Sequence, residues 1–187
     1  LPKLQTKQGV YVGDVLLRKN ISKRLRTLGL TEVRTYTLVT EEIASSFNYD
    51  NKEVLVLPNP LSSDKKALRL SLIPSLIKTY EYNKARKVND INIYEVAKTY
   101  DKNFVEDQKV AILMKGNYIT NTWQNNNVKV DFYVIKGIIE NLLDYMVGIC
   151  NDDRMTELFK RVCRRYINLY PEMISSEIYA YKDMYEE

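Results

Sequence analysis

The chain predicts an α+β fold in which an antiparallel sheet is flanked by helices and followed by a helical C-terminal tail, and three observations lead there. Strand-like runs and helical patterns follow one another irregularly, not as βαβα repeats. Two strand-like runs, Ile91 to Tyr100 and Lys109 to Met114, are separated only by an acidic and polar turn, Asp101 to Asp107, for which an antiparallel hairpin is the economical connection. Beyond Gly148 the chain has no glycine and a single proline, Pro171, while its apolar positions keep a helical period. With 187 residues, 45% hydrophobic and 28% charged, there is apolar surface enough to bury a core.

Each element has its own reason. Leu1 to Gly9 is polar and carries Pro2, which reads as a loop or a linker end. Leu17, Ile21, Leu25 and Leu28 then line one face of a helix from Val12 to Leu28, and Gly29 offers the left-handed stop. Val33 to Val39 is dense in β-branched and aromatic residues, and Val54 to Leu57 is a short apolar run closed by Pro58; both read as strands. Asn59 to Asp64 is turn chemistry, because Pro60 fixes φ while Asn59, Ser62 and Asp64 can bond the local backbone. Pro74 suits the first turn of a helix running to Arg86, where its missing N–H has no helical partner to lose. Asn117 to Asn127 reads as an Asn-rich loop around Trp123. Asp131 is the N-cap expected for a helix whose stripe is Phe132, Ile135, Ile139, Leu142 and Met146 before Gly148. Asn151 to Glu187 reads as one long helix and a shorter one after Pro171. The expected organisation is a core over 1–149 and a helical tail or insertion over 150–187.

Composition excludes several chemistries. A chain without histidine has no His-containing triad, no His-ligated zinc and no His general base. The six glycines never form GxGxxG or GxxxxGK[ST], so Rossmann and P-loop readings fail. Glu41-Glu42 and Asp152-Asp153 diverge on a helix and suit helix starts better than an acid and base pair. No apolar run approaches the roughly 20 residues that cross a bilayer. Cys150 and Cys163 fit neither a CxxC redox pair nor a zinc set and suit a reducing cytosol without a disulfide. Leu1 in place of Met, with no leader pattern, predicts an excised piece.

Other features leave alternatives open. Arg18, Lys19, Lys23, Arg24 and Arg26 on the first helix form either a solvated face or a contact with a partner or RNA phosphate. Lys160, Arg161, Arg164 and Arg165 pose the same choice on the tail, with an RNA contact as the functional reading. The fifteen tyrosines either pack at the boundary of core and solvent or stack on unpaired bases. A net charge of +4 decides none of these.

One segment goes further. Asn59-Pro-Leu-Ser-Ser-Asp-Lys-Lys-Ala-Leu-Arg-Leu-Ser-Leu-Ile-Pro-Ser-Leu-Ile77, then Asn83, then Ile91-Asn-Ile-Tyr-Glu-Val-Ala-Lys-Thr-Tyr100 resembles the core of the phenylalanyl-tRNA synthetase β subunit family, whose pattern runs NPLS, LRxSLxPxLL, an Asn and a strand φxφ[FY]Eφxxx[FY]. Leu28 to Val39 is similar to the family's GφxEvφtysφv, and Asp131 to Glu140 to its DFφxφKGxφE. The resemblance covers Leu1 to Ile149, and the tail matches nothing in it.

The resemblance implies a class II aminoacyl-tRNA synthetase catalytic-like module, related to the catalytic α subunit but without an active site of its own. Family catalysts grip ATP with an arginine just after the strand of their second motif and with a Gly-rich third motif; here Asp101 follows Tyr100, and no glycine follows Gly148. Lys98 is a point charge that does not reproduce a bidentate arginine fork. The implied role is architectural: no catalytic residue, no metal and no cofactor in this piece, with ATP and Mg belonging to the whole enzyme. The implied partners are the α subunit, in a heterotetramer, and tRNA(Phe), in the cytoplasm and with no membrane. Asn59, Pro60, Arg69 and Pro74, with the Val12 to Leu28 helix, are the expected subunit-interface residues. Arg69 has a second reading as a structural salt bridge or carbonyl contact, and Asn59 and Asn83 as backbone braces. Two other functions stay open: an RNA-binding module, and a regulatory domain that binds a small amino acid or nucleotide.

Overall fold

A computed structural model of the chain describes residues 9–48, 51–121, 123–124 and 126–149. In chain order the elements are α1 (Gly13–Thr27), β1 (Thr31–Glu32), β2 (Leu38–Val39), α2 (Glu41–Ser45), a 3-10 turn (Ser63–Lys65), β3 (Ala67–Leu68), α3 (Ile73–Lys84), β4 (Ile91–Tyr100), β5 (Glu106–Lys115), β6 (Asn117–Asn121), β7 (Asn126–Lys129) and α4 (Phe132–Ile149). The expected tail helices, with Lys160, Arg161, Arg164 and Arg165, lie outside the described residues. The chain divides into a unit ending at Ile138 and a second beginning at Ile139, of which only the helical residues 139–149 are described.

The helix boundaries follow local chemistry. Gly29 takes φ +83, the left-handed geometry that ends α1, while Leu28 and Gly29 donate back to carbonyls of the last turn. Thr40 accepts from the Ile43 N–H and caps α2, whose first turn holds Glu41 and Glu42. Pro74 sits in the first turn of α3. The Asp131 carboxylate accepts from the Val134 N–H at 2.8 Å, the cap expected for α4.

β4 is the organising strand. It pairs antiparallel with β5 along its whole length, from Ile91 opposite Lys115 to Tyr100 opposite Glu106, and parallel with β1. Both of its faces are covered, which is why its sequence is a nearly continuous apolar run. On one face Ile91 and Ile93 pack with Leu76 and Tyr80 of α3, joined by Val33, Ala111 and Leu113. On the other, fully buried Tyr94 donates its hydroxyl to the Ser22 carbonyl of α1 at 2.9 Å, and α1 also buries Ile21 and Leu25. Burying a side chain such as Leu25 or Leu76 contributes about 2 kcal/mol over leaving it in water.

Three expectations need correction. Val33 to Val39 is not one strand, because the segment crosses between two sheets: the Val33 N–H bonds the Tyr94 carbonyl in the first, and the Arg69 N–H bonds the Thr37 carbonyl in the second, leaving only β2 for that second sheet. Val54 to Leu57 contributes only an isolated bridge, Val56 with Ala67, supported by Leu57 N–H to Lys66 O and Leu68 N–H to Leu55 O. Asn117 to Asn127 is not a plain loop, since β6 and β7 form a hairpin. Gly116, at φ +86, permits the reversal into β6: a Cβ there would stand 2.3 Å from the Asp90 carboxylate, which accepts from the Asn117 N–H. The backbone ladder is made regardless of asparagine's poor strand preference.

Candidate functional site

Of the polar residues singled out by sequence, Arg69 enters a buried cluster against β4, whereas Asn59 and Asn83 lie away from it. Arg69 leaves β3 with its side chain 3% exposed and meets Glu95 in the middle of β4, equally buried, at 3.1 Å. The guanidinium also donates to Thr35 Oγ1 at 2.6 Å and to the Lys98 carbonyl. Thr35 in turn donates its hydroxyl and its N–H to the two oxygens of Glu95. Charge and hydrogen-bond capacity are thus matched inside the unit, the condition under which a buried ion pair is tolerated. The salt bridge and the carbonyl contact weighed for Arg69 are both present, and any interface near it would be reached through the chain it braces.

Asn59 and Pro60 are exposed, in a turn closed by Leu57 N–H to Lys66 O at 2.8 Å and by Ser62 accepting from the Asp64 N–H. Pro74 is half-buried at the start of α3. Asn83 braces backbone: its amide donates to Thr79 O, and its carbonyl accepts from Arg86 and Val88. On α1, Arg26 pairs with Glu32 at 2.9 Å, and Lys19 lies over the Tyr11 ring.

Asp101, the acidic residue after the β4 strand, is buried, and its carboxylate accepts from the N–H groups of Asn103 and Val105 at 2.8 and 3.1 Å. Lys98 is paired with Glu106 across the hairpin. These groups do not fit a triphosphate, since one is an anion committed to a turn and the other a cation already neutralised.

A cleft of about 380 Å³ lies between β5 and the chain before α3, lined by Leu70, Leu72, Ile112, Lys52 and Lys109 among others. The sequence reading missed Glu95, Thr35 and the exposed tip residue Phe104. A signal existed for two of them: Glu95 is a lone acid inside the run Ile93-Tyr94-Glu95-Val96-Ala97, and Phe104 a lone aromatic inside a polar turn.

Solved structures share this arrangement of helices about a hairpin-centred sheet. A histidine–tRNA ligase subunit from Alicyclobacillus acidocaldarius superposes with a TM-score of 0.51 at 16% identity, over 78% of this chain and 42% of that one. An ATP phosphoribosyltransferase regulatory subunit/histidyl-tRNA synthetase from Bacillus halodurans superposes with 0.52 at 11% identity, over 78% and 39%. At such identities the likeness defines the fold, that of a class II synthetase-like domain. The family is narrower: residues 1–156 match the phenylalanyl tRNA synthetase beta chain CLM domain, and the chain belongs to that family. Among curated relatives, the phenylalanine–tRNA ligase beta subunits of Shouchella clausii and Bacillus subtilis are 32% and 35% identical over 77% and 68% of this chain. The chain spans 19% and 16% of their lengths.

Proposed function

We propose that this chain is the noncatalytic synthetase-like core of a phenylalanine–tRNA ligase β subunit, supporting phenylalanyl-tRNA formation in the cytoplasm by assembling with the catalytic α subunit, in a heterotetramer. The observation that carries the reading is the N-terminal half of α1. Its C-terminal half buries Ile21 and Leu25 on β4, but Val15 and Leu16 in its first turns are 46% and 42% exposed, and Val12 in the extended N-cap before them is 73% exposed. A half-covered apolar helix suits packing against another chain. Asn59, Pro60 and Pro74 are proposed to join the interface, Arg69 to brace it from within, and Lys160, Arg161, Arg164 and Arg165 to meet tRNA(Phe). ATP and Mg belong, in this reading, to the whole enzyme and not to this piece, whose groups around Asp101 and Lys98 do not fit a triphosphate.

Coexpression with the catalytic subunit tests it. Expected are copurification and, for the isolated chain, no phenylalanine-dependent ATP–pyrophosphate exchange; robust exchange by the chain alone would overturn the proposal. A second reading, a domain regulated by a small amino acid or nucleotide, is favoured by the 380 Å³ cleft with Lys52 and Lys109 at its wall. Under that reading phenylalanine or ATP raises the melting temperature of the chain.

A further inference from the structure

The last turn of α3 gathers cations that the unit does not neutralise. From Lys78 to Lys87 the sequence carries Lys78, Lys84, Arg86 and Lys87 against one acid, Glu81. Lys84 places its ammonium 5.9 Å from the centroid of the Tyr80 ring, and Lys115, at the end of β5 opposite Ile91, approaches the same ring to 5.4 Å. Arg86 lies 3.3 Å from the centroid of the Tyr82 ring, one helical turn back, and donates to the Tyr82 carbonyl. Tyr82 is 58% exposed, and Lys84, Arg86, Lys87 and Lys115 are exposed with it. Among the described residues none of these four cations forms an ion pair, whereas Lys52, Lys66, Lys98 and Lys102 are each held by a carboxylate. Asp90, just beyond in the chain, is committed to the backbone and side-chain N–H groups of Asn117.

The negative end of a helix favours cations, which accounts for Lys84 and Arg86. It does not account for Lys115, which comes from β5, or for Lys87. The Val88 N–H bonds the Asn83 carbonyl and the Lys87 N–H bonds that of Lys84, the two bonds of a Schellman turn, whose left-handed residue is ordinarily glycine. Here that residue is Lys87, at φ +64. A strained backbone under an exposed charge is a combination that stability alone does not favour. Phosphate recognition draws on unneutralised cations, and an exposed ring stacked with a guanidinium offers a plane to an unpaired base. An acidic protein surface would use the charges but not the plane.

We propose that Tyr82 and Arg86 stack an unpaired base of single-stranded RNA while Lys84, Lys87 and Lys115 hold the flanking phosphates. For the source of that RNA this rests on the tRNA reading above, and it adds a site at the end of α3.

Fluorescence anisotropy of the full chain with a tRNA(Phe) transcript, over a salt series and alongside thermal unfolding, tests it, with a short oligouridine strand and an RNA duplex as competitors. Wild-type binding should be salt-sensitive and displaced far more readily by oligouridine than by the duplex. Tyr82→Ala should raise Kd about tenfold at an unchanged melting temperature. Lys87→Gly should leave melting unchanged or raised, because glycine suits the left-handed backbone, and should flatten the plot of log Kd against log salt by about 0.7, the share of one phosphate contact on a single strand. Lys102→Gln, which removes a lysine already paired, should keep Kd within about twofold. Wild-type affinity in both Tyr82→Ala and Lys87→Gly would overturn the site and leave the tRNA reading standing. No RNA binding by the wild type would overturn both. Equal displacement by duplex and single strand, or weakening by Lys87→Gly alone, would make the patch a polyanion contact without a stacked base and overturn the proposal. Unchanged RNA binding with lost affinity for the catalytic subunit would make it a protein contact, and lowered melting in both variants a structural feature; either overturns it as well.

Discussion

The middle of β4 and the tip that follows it, a few residues apart on one hairpin, solve opposite problems. At the middle, Glu95 brings a charge into the interior, and Arg69 and Thr35 answer it with groups from the same unit. At the tip, Asp101 is likewise answered locally by two backbone N–H groups, but the apolar side chains beside it, Phe104 and Val105, face outward. Polar demands are met within the unit at both places, whereas the apolar side chains of the tip are not covered by it. A buried charge must be balanced where it lies, while a few exposed apolar groups cost the fold little.

The largest effect should come from breaking the interior pair one side at a time. Glu95→Ala leaves the Arg69 guanidinium buried without its carboxylate, an uncompensated charge that costs about 3–5 kcal/mol. The double replacement Arg69→Met with Glu95→Leu removes both charges and should recover most of that loss. Urea unfolding at neutral pH measures both; a double variant no more stable than Glu95→Ala would mean that the pair is needed for backbone placement, not only for charge balance. A smaller effect belongs to the tip. Asp101→Ala orphans the Asn103 and Val105 N–H groups and should cost about 2 kcal/mol, with faster hydrogen exchange confined to those amides. A loss spread over the whole of β4 and β5 would break the idea that the tip is a separate small construction.

How much of this could be read in advance depends on which physical effect governs each element. Where local chemistry decides, as at Gly29, Glu41-Glu42, Pro74 and Asp131, residue type is enough to place the boundary. The β4–β5 hairpin was legible because both strands carry long apolar runs around a polar turn. Val33 to Val39 was not, because the segment divides its bonds between two sheets, and that partition depends on where Tyr94 and Arg69 come to lie. The β6–β7 hairpin was hidden behind an asparagine-rich composition, its ladder being made by backbone that carries no side-chain signature. Of the site, Arg69 was found with both of its contact types left open; Glu95 stood out only as a lone acid in an apolar run, and nothing local ties it to a partner 26 positions away. The first helix shows the limit most clearly: Leu17 and Leu25 share one stripe in sequence, and only packing distinguishes the half-buried one from the buried one.

The smallest effect concerns a tie between the two kinds of region. Lys52, on the chain entering the second sheet, bonds Asp107 of β5 at 2.8 Å and lines the cleft with Lys109. The hydrogen bond from Lys52 holds the Asp107 carboxyl below its usual range; partial burial opposes this, and the charges of Lys52 and Lys109 reinforce it. The folded chain therefore binds this proton less readily than the unfolded chain does. Its contribution to stability is complete above the unfolded carboxyl's pKa of about 4 and is lost as pH falls through the lower folded value. Both partners are substantially exposed, so the contribution is about 0.5 kcal/mol. Lys52→Met should lower stability by about that much at pH 7 and by nearly nothing at the acid end, in paired urea titrations. An equal loss at both pH values would assign the effect to the packing of the lysine stem along the cleft wall, and the tie would then belong with the apolar contacts of the cleft rather than with the charge pairs that close the interior.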